Sequence, residues 1–525
     1  MLKLSAKYTH ESVSQKILRN TSFNIFGIIL RTAVYLVIIP FIIHNVGEAR
    51  YGIWVVLFAF VEYFNLLDLG FGAAVVKYTA EHYARNDIAR IGRIIITAFL
   101  FYLLLVPLVI APIFFADSIV NFFDVAHDNL EEATFVFRGV LLIFAFSYLT
   151  SVFRNVLIGL QRIDIQNLCD MVYTVLYAVG VVMVLKSGFG LKGLIILIGL
   201  LRIVLISVQT VCVFKIAPGI KKGLKSVSGK IFKEFFQYGI KLQITSFAGL
   251  FNFQLDKILI GYFLRMEMVT FYDLGSKIAM FIRQMPAVLL SPLIPASAEL
   301  AVTGDRERLE AMYIRGAKYI TFTAAPIAAF LGTMAPTVML IWMGRGDYDY
   351  AVMALRILAV GYFFNIITGV ITSMGRGIGV LHYEVQTSCF IALANLFLSV
   401  FLIIKIGFIG ALIGTMVAMT VGNIIYVYRF NRYLKVPFAG FLKETFVKPV
   451  IICLLTGAII WSGQYIVFSE FLTFSISRIN MVIYFIISGI LFSSIYIGGL
   501  FMTGFIGRSD LEIFAQTIRS VRGMQ

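Results

Sequence analysis

The stretch Gly159-Leu160-Gln161-Arg162-Ile163-Asp164-Ile165-Gln166, followed by Cys169, Lys186, Gly188 and Phe189, returns later in the chain. Its second copy is Gly379-Val380-Leu381-His382-Tyr383-Glu384-Val385-Gln386, followed by Cys389, Lys405, Gly407 and Phe408. The interval is about 220 residues, far beyond the roughly 20 to 50 of solenoid repeats, so the repeated unit is a whole lobe. Two lobes of membrane helices related by a repeat are a common plan for secondary transporters, with the substrate site near the bilayer midplane at the repeat interface. The repeat therefore predicts a transporter.

Composition supplies the helices. Of 525 residues, 60% are hydrophobic and 14% charged, with a mean hydropathy of +0.92, whereas soluble domains carry roughly 25% charged residues. The solvent is lipid. About 14 apolar runs reach the roughly 20 residues a spanning helix needs. They lie near 22–44, 51–74, 92–115, 135–157, 169–187, 193–214, 238–263, 270–295, 317–342, 351–373, 385–406, 408–429, 448–468 and 480–503. The first run follows a long polar segment and is itself long enough to span, so no cleavable signal peptide is expected. Cys169, Cys212, Cys389 and Cys453 fall in apolar runs without metal-ligand spacing and read as small packing residues.

A net charge of +16 raises the question of nucleic acid, and its distribution answers it. Alternate loops hold roughly 29 Lys and Arg on the side of the N-terminus and roughly 8 on the other, the asymmetry of cytoplasmic against external loops. Both termini are thus predicted to be cytoplasmic. The richest cluster, Lys215, Lys221, Lys222, Lys225, Lys230 and Lys233, falls on that side, and the acidic segment with Asp124, Asp128 and Glu131 falls outside. The charge reports topology and contact with anionic lipids, and no nucleic-acid partner is expected.

The Lys-rich segment around Pro218-Gly219-Ile220-Lys221-Lys222-Gly223 separates six spans from six. The predicted divisions are 1–220 and 221–435 for two lobes and 436–525 for two further spans with a cytoplasmic tail. An even number of spans per lobe makes the repeat parallel. The step Gly407, Gly410, Gly414 is of the small-xxx-small kind that lets helices approach closely in lipid. The echo Asp68-Leu69-Gly70 against Asp273-Leu274-Gly275 lies at the wrong ends of the paired helices and reads as coincidence.

The chemistry must come from charges inside spans: Arg31, Arg202, Lys241, Lys257, Lys277, Arg283 and Arg356, with Glu62, Asp68, Asp256 and Asp273. Each costs about 2.5 to 3.5 kcal/mol at a helix centre and so marks a functional hypothesis. At about 100° per residue, Asn20, Asn24, Gly27, Arg31 and Tyr35 share one face. Lys241, Thr245, Asn252 and Asp256 share another, and Asp273, Lys277, Gln284 and Ser291 a third, with Asp273 and Lys277 spaced to pair one turn apart. Facing polar stripes would line a water-filled cavity. Lys257 points elsewhere and can snorkel. Arg31 is the strongest candidate, because its own span holds no neutralising carboxylate and its planar fork suits phosphate oxygens. The cationic balance points to an anionic substrate. The longest loops, about 20 residues, are too short for a catalytic domain of at least 50, and Walker, zinc and loop-carboxylate motifs are absent. This predicts a transporter without cofactor or metal, powered by a gradient or by its substrate.

Two segments also resemble a known family. Asn45-Val46-Gly47-Glu48-Ala49-Arg50-Tyr51-Gly52-Ile53-Trp54, then Leu67-Asp68-Leu69-Gly70-Phe71-Gly72-Ala73-Ala74 with Tyr78, Ala80 and Glu81, are similar to the first two spans of Wzx-type polysaccharide flippases of the MOP superfamily. Asp256-Lys257-Ile258-Leu259-Ile260-Gly261-Tyr262-Phe263 and Tyr272-Asp273-Leu274-Gly275 look like the seventh and eighth. The resemblance implies an all-α fold of two six-helix lobes in a V plus two helices. It implies export of an undecaprenyl-pyrophosphate-linked oligosaccharide across the inner membrane by alternating access through a cationic cavity. On that reading Arg31, Asn24, Lys241, Asn252, Lys277, Arg283 and Arg356 contact substrate, and Glu62, Asp68, Asp256 or Asp273 carries a coupling H+ or Na+. The expected partners are the lipid-linked oligosaccharide, anionic lipids, a polysaccharide polymerase and a chain-length regulator, with the chain itself a monomer. Within the superfamily the alternatives are a lipid II flippase and a multidrug exporter, and the extra helix pair and basic residues argue against the latter. An integral-membrane glycan polymerase or ligase would need a sizeable external loop.

Overall fold

The computed structural model describes residues 13–222, 227, 229–471, 478–507 and 510, without the side chains of 13–25, 221–222, 238, 240–242, 244–248, 250 and 464–471. The described residues are helical and form no strand. In the first part of the chain these are α1 Val13–Val46, α2 Glu48–Glu62, α3 Phe71–Ala84, α4 Ile88–Ile110, α5 Ala116–Phe122, α6 His127–Gly159, α7 Ile163–Lys186 and α8 Gly190–Ile216. Then follow α9 Gly229–Phe263, α10 Met266–Ala279, α11 Phe281–Ala287, α12 Leu293–Thr303, α13 Arg306–Thr333, α14 Ala335–Met343, α15 Asp349–Ile378, α16 His382–Ile406 and α17 Phe408–Leu434. The last are α18 Phe438–Leu442, α19 Lys448–Phe471 and α20 Arg478–Met502.

The repeat is visible in element lengths. α7 and α8 have 24 and 27 residues, and α16 and α17 have 25 and 27. The quoted stretch is the entry to each hairpin: Gln161 turns at φ 58° ahead of α7, and Gly379 turns at φ 81° ahead of α16. The later glycines, Gly188 at φ 77° and Gly407 at φ 63°, make the hairpin turns, a conformation in which glycine carries no Cβ penalty. In the α16–α17 hairpin, a Cβ on Gly410 would stand 2.2 Å from the Leu402 carbonyl oxygen and one on Gly414 2.5 Å from Ser399 Oγ. Only glycine permits this approach, so the small-residue step is a packing device.

Eleven helices among the described residues are long and apolar enough to cross a membrane, and two bent helix pairs bring the number to 13. The predicted span 238–263 falls in α9, where several side chains lie outside the described residues. Three predicted spans are not single straight helices. The one at 51–74 ends in a 3-10 turn, Tyr63–Asp68, and breaks at Leu69 and Gly70, both left-handed, before α3 begins. The one at 270–295 bends by 43° ahead of Leu293, where Pro286 and Pro292 remove backbone donors. The one at 317–342 bends by 71° between α13 and α14, where Pro336 sits in the first turn of α14 and removes a backbone donor.

The chain forms two compact units, residues 1–270 and 271–525. Within the first, α9 packs on α2, α3 and α4. Phe235 of α9 is wholly buried and joins Phe71, Ile91, Tyr102 and Val152 in one apolar cluster, with its ring 5.6 Å from that of Phe71. In lipid, such burial is stabilised by close packing rather than by release of water. The contact has no slack: a Cβ on Gly70 would stand 2.4 Å from the carbonyl oxygen of Gly239.

Candidate functional site

The polar groups are set into each unit by the helix breaks. In the first unit the chain leaves its helix at Leu69 with φ 48°, and Asp68 then turns its carboxylate back on the exposed amides of α3. The amide of Gly72 donates to Asp68 Oδ1 at 3.2 Å, and Tyr102 Oη donates to the same oxygen. Asp68 thus serves as the cap that α3 would otherwise lack, since Gly70 has no side chain to offer. Glu62, at the end of α2, accepts from Gln254 Nε2 of α9. Tyr63 sets its ring edge-on against Phe251 at 5.2 Å, and both Glu62 and Asp256 lie near enough to act electrostatically on its hydroxyl. Asp256 is fully buried and Asn252 nearly so; Asn252 Oδ1 and Gln254 Oε1 are buried oxygens without a hydrogen bond among the described residues.

Arg31 is half-buried on α1 and among the described residues makes no ion pair or hydrogen bond. Asn24 and Lys241, which the sequence places on the same stripes, have side chains outside the described residues. Tyr35, one turn beyond Arg31, meets Tyr177 of α7 with ring centroids 6.5 Å apart. Tyr177 stacks with Tyr173, over which the Arg202 guanidinium sits at 5.0 Å. That contact gives Arg202 a cation–π partner in place of a carboxylate.

In the second unit the spacing of Asp273 and Lys277 produces an ion pair along α10, with the carboxylate buried and the lysine exposed. Gly275 makes this register possible, for a Cβ there would stand 2.5 Å from that of Ala354 on α15. Arg283 on α11 directs Nη1 to Met280 Sδ at 3.3 Å. Arg356 lies at the rim of a lateral groove between α13, α15 and α19. Among the described residues no group of three or more His, Cys, Asp and Glu could hold a metal ion.

Other charges inside the helices form clamps that sequence reasoning did not select. Arg50 Nε and Nη2 grip Glu132 at 2.7 and 2.5 Å, and Glu132 also accepts from the Leu191 amide at 2.9 Å. Arg376 grips Glu384 with contacts of 3.2 and 2.7 Å. Glu384 and its counterpart Asp164, which accepts from Arg162 Nε at 3.0 Å, both belong to the repeated stretch. At the entry to each hairpin the repeated acidic position is thus ion-paired, with Arg162 inside the first copy and with Arg376 ahead of the second.

A model of polysaccharide biosynthesis proteins matches residues 17–301, more than half of the 525 in the chain. The chain belongs to that family. Membership bears out the Wzx-type resemblance carried by residues 45–81 and 256–275. A candidate O-antigen transporter of Shigella flexneri is 19% identical over 431 residues, covering 80% of this chain and 99% of that protein. The structure of the lipid II flippase MurJ in an inward closed conformation matches with a TM-score of 0.69 at 16% identity, over 92% of this chain and 100% of that one. An inward-facing multidrug resistance MATE family transporter of the MOP superfamily matches with a TM-score of 0.64 at 16% identity, over 82% and 100%. At such identities the two structures establish the fold. This family member is an all-α, multi-pass membrane protein with the MOP fold.

Proposed function

We propose that the protein flips an undecaprenyl-pyrophosphate-linked oligosaccharide across the inner membrane by alternating access. The polysaccharide family and the Shigella flexneri relative's name support the glycan class. The observation that carries the anionic half of the reading is Arg31. A guanidinium inside a spanning helix, with no carboxylate or hydrogen bond on it among the described residues, is stabilised by an incoming anion. Its two-pronged donor geometry matches the oxygens of a pyrophosphate. Arg283 and Lys241 supply further positive charge, with Lys277 contributing as the exposed half of its ion pair with Asp273, while the polyprenyl chain stays in lipid. Both termini lie in the cytoplasm on this reading.

Transport is powered by a gradient or by the substrate itself, and Glu62, Asp68, Asp256 and Asp273 are the carboxylates for a coupling H+ or Na+. Glu62 and Asp256 are favoured over Asp68, whose oxygens are committed to Gly72 and Tyr102. The decisive experiment uses purified protein in proteoliposomes with a fluorescent undecaprenyl-pyrophosphate oligosaccharide, and flipping is read by a membrane-impermeant quencher. Protein-dependent flipping that is lost in Arg31→Ala is the expected result. Movement of lipid II or a cationic dye in place of the oligosaccharide would replace this reading with one of its superfamily alternatives.

A further inference from the structure

The groove beside Arg356 lies wholly within the second unit, and none of Arg31, Lys241, Lys277 and Arg283, to which the flipping reaction is assigned above, lines it. It is a cavity of about 570 Å³ walled by α13, α15 and α19. α13 contributes small residues, Ala328, Ala329 and Gly332, while α15 and α19 contribute Phe363, Phe364 and Trp461. The sequence dictates this form. Where one helix presents alanine and glycine and its neighbours present rings, the helices are held apart and a channel remains between them.

Two features show what would fill it. Along α19 the walls run from Val450 to Trp461, a rise of about 16 Å at 1.5 Å per residue. That is close to half of a hydrocarbon core about 30 Å thick, which is the depth of one leaflet. Secondly, Arg356 is exposed at the rim and is the sole charged residue among those lining the groove. Its Nε donates to the Gly332 carbonyl at 3.1 Å, which fixes the plane of the guanidinium and leaves both Nη groups without a partner among the described residues. The space beside it is open, since a Cβ on Gly332 would meet nothing within 4 Å.

We propose that this groove binds one anionic phospholipid of the surrounding bilayer, with its phosphate on the Nη groups of Arg356 and one acyl chain along α13 and α19. A single guanidinium offsets the single charge of a phosphodiester, and its fork reaches two phosphate oxygens. The groove has no carboxylate to receive an ammonium, so a hydroxyl headgroup such as that of phosphatidylglycerol is preferred to ethanolamine. A polyprenyl pyrophosphate fits poorly, because its chain exceeds one leaflet and its charge exceeds one cation.

The test is native mass spectrometry of the delipidated full chain, titrated separately with phosphatidylglycerol, phosphatidylethanolamine and undecaprenyl phosphate. Phosphatidylglycerol is expected to bind at least tenfold more tightly than phosphatidylethanolamine. Arg356→Gln removes the phosphate anchor and Ala328→Phe fills the channel, and each is expected to weaken phosphatidylglycerol at least tenfold. The two substitutions act at different parts of the groove, so a folding failure of one leaves the other decisive. Wild-type lipid binding by both variants, equal binding of the two phospholipids, or displacement of phosphatidylglycerol by equimolar undecaprenyl phosphate would each overturn the proposal.

Discussion

Arg31 and Glu132 represent two ways in which a charge is placed inside a membrane helix. Glu132 receives both prongs of Arg50 and the Leu191 amide. Glu132→Ala should therefore destabilise the protein by about 1.5 to 3 kcal/mol, the usual cost of losing hydrogen bonds to a charged group. Thermal unfolding in detergent measures this, and Arg50→Ala combined with Glu132→Ala should cost less than the sum of the single changes. Arg31 has no such partner among the described residues. Arg31→Ala removes a charge costing about 2.5 to 3.5 kcal/mol to insert, so the protein should accumulate normally while glycan export is lost. Arg31→Lys should keep part of the export, since a point charge replaces a fork. Export by Arg31→Ala at the wild-type rate would rule out the anion clamp. Loss of protein rescued by Glu62→Gln would reveal an ion pair instead.

Helices are legible in this sequence where their cause is local, but a proline alone does not mark a break, since Pro40, Pro107 and Pro326 lie inside continuous helices. The apolar runs and the spacing of four between Asp273 and Lys277 gave spans and an ion pair that the structure contains. Pro336 was a visible stop signal inside the run 317–342, but hydropathy sums over it. The left-handed break at Leu69 and Gly70 had only its glycine, at φ 75°, as a signal, and the close approach of Gly239 of α9 to it is a contact that no local pattern shows. The bond from Gln254 to Glu62 spans 192 positions and arises only once α2 and α9 pack. The break can be tested. Gly70→Ala or Gly239→Ala forces a Cβ to within 2.4 or 2.2 Å of backbone, and overpacking of this kind typically costs about 1 to 3 kcal/mol. Gly463→Ala, whose Cβ would meet nothing within 4 Å, is the neutral control. At the other end of the chain, burial raises the pKa of Asp510. Hydrogen bonds from Lys318, the Gly507 amide and Tyr319 outweigh it, so the carboxyl titrates below its usual range. A depressed folded pKa means that this contact stabilises the protein above the ordinary carboxylate pKa and is lost as pH falls through the folded value. Limited proteolysis of the C-terminal tail should therefore accelerate only in that acidic window, and Asp510→Asn should remove the pH dependence.

At the scale of the whole molecule, the Lys-rich segment between α8 and α9 divides the two sequence repeats, while the structural units divide at residue 270. The difference is α9, which opens the second repeat yet buries Ile231 and Phe235 in the apolar cluster of the first unit. A chain cut between residues 222 and 229 would leave the first fragment without this helix, exposing Phe71 and the Gly70 backbone that α9 covers. The fragment 1–222 should consequently be degraded when expressed alone, and co-expression of 229–525 should restore its level and part of the export. A cut between Leu264 and Arg265 keeps α9 with the first unit and leaves α10 with the second, so the fragment 1–264 should persist without its complement. Immunoblots of membrane fractions against a tag on each fragment measure both outcomes. Equal persistence of 1–222 and 1–264 would show that α9 is dispensable to the first unit. Co-expressed halves that accumulate to wild-type levels yet never export would show that the connecting segment itself participates in the transport cycle.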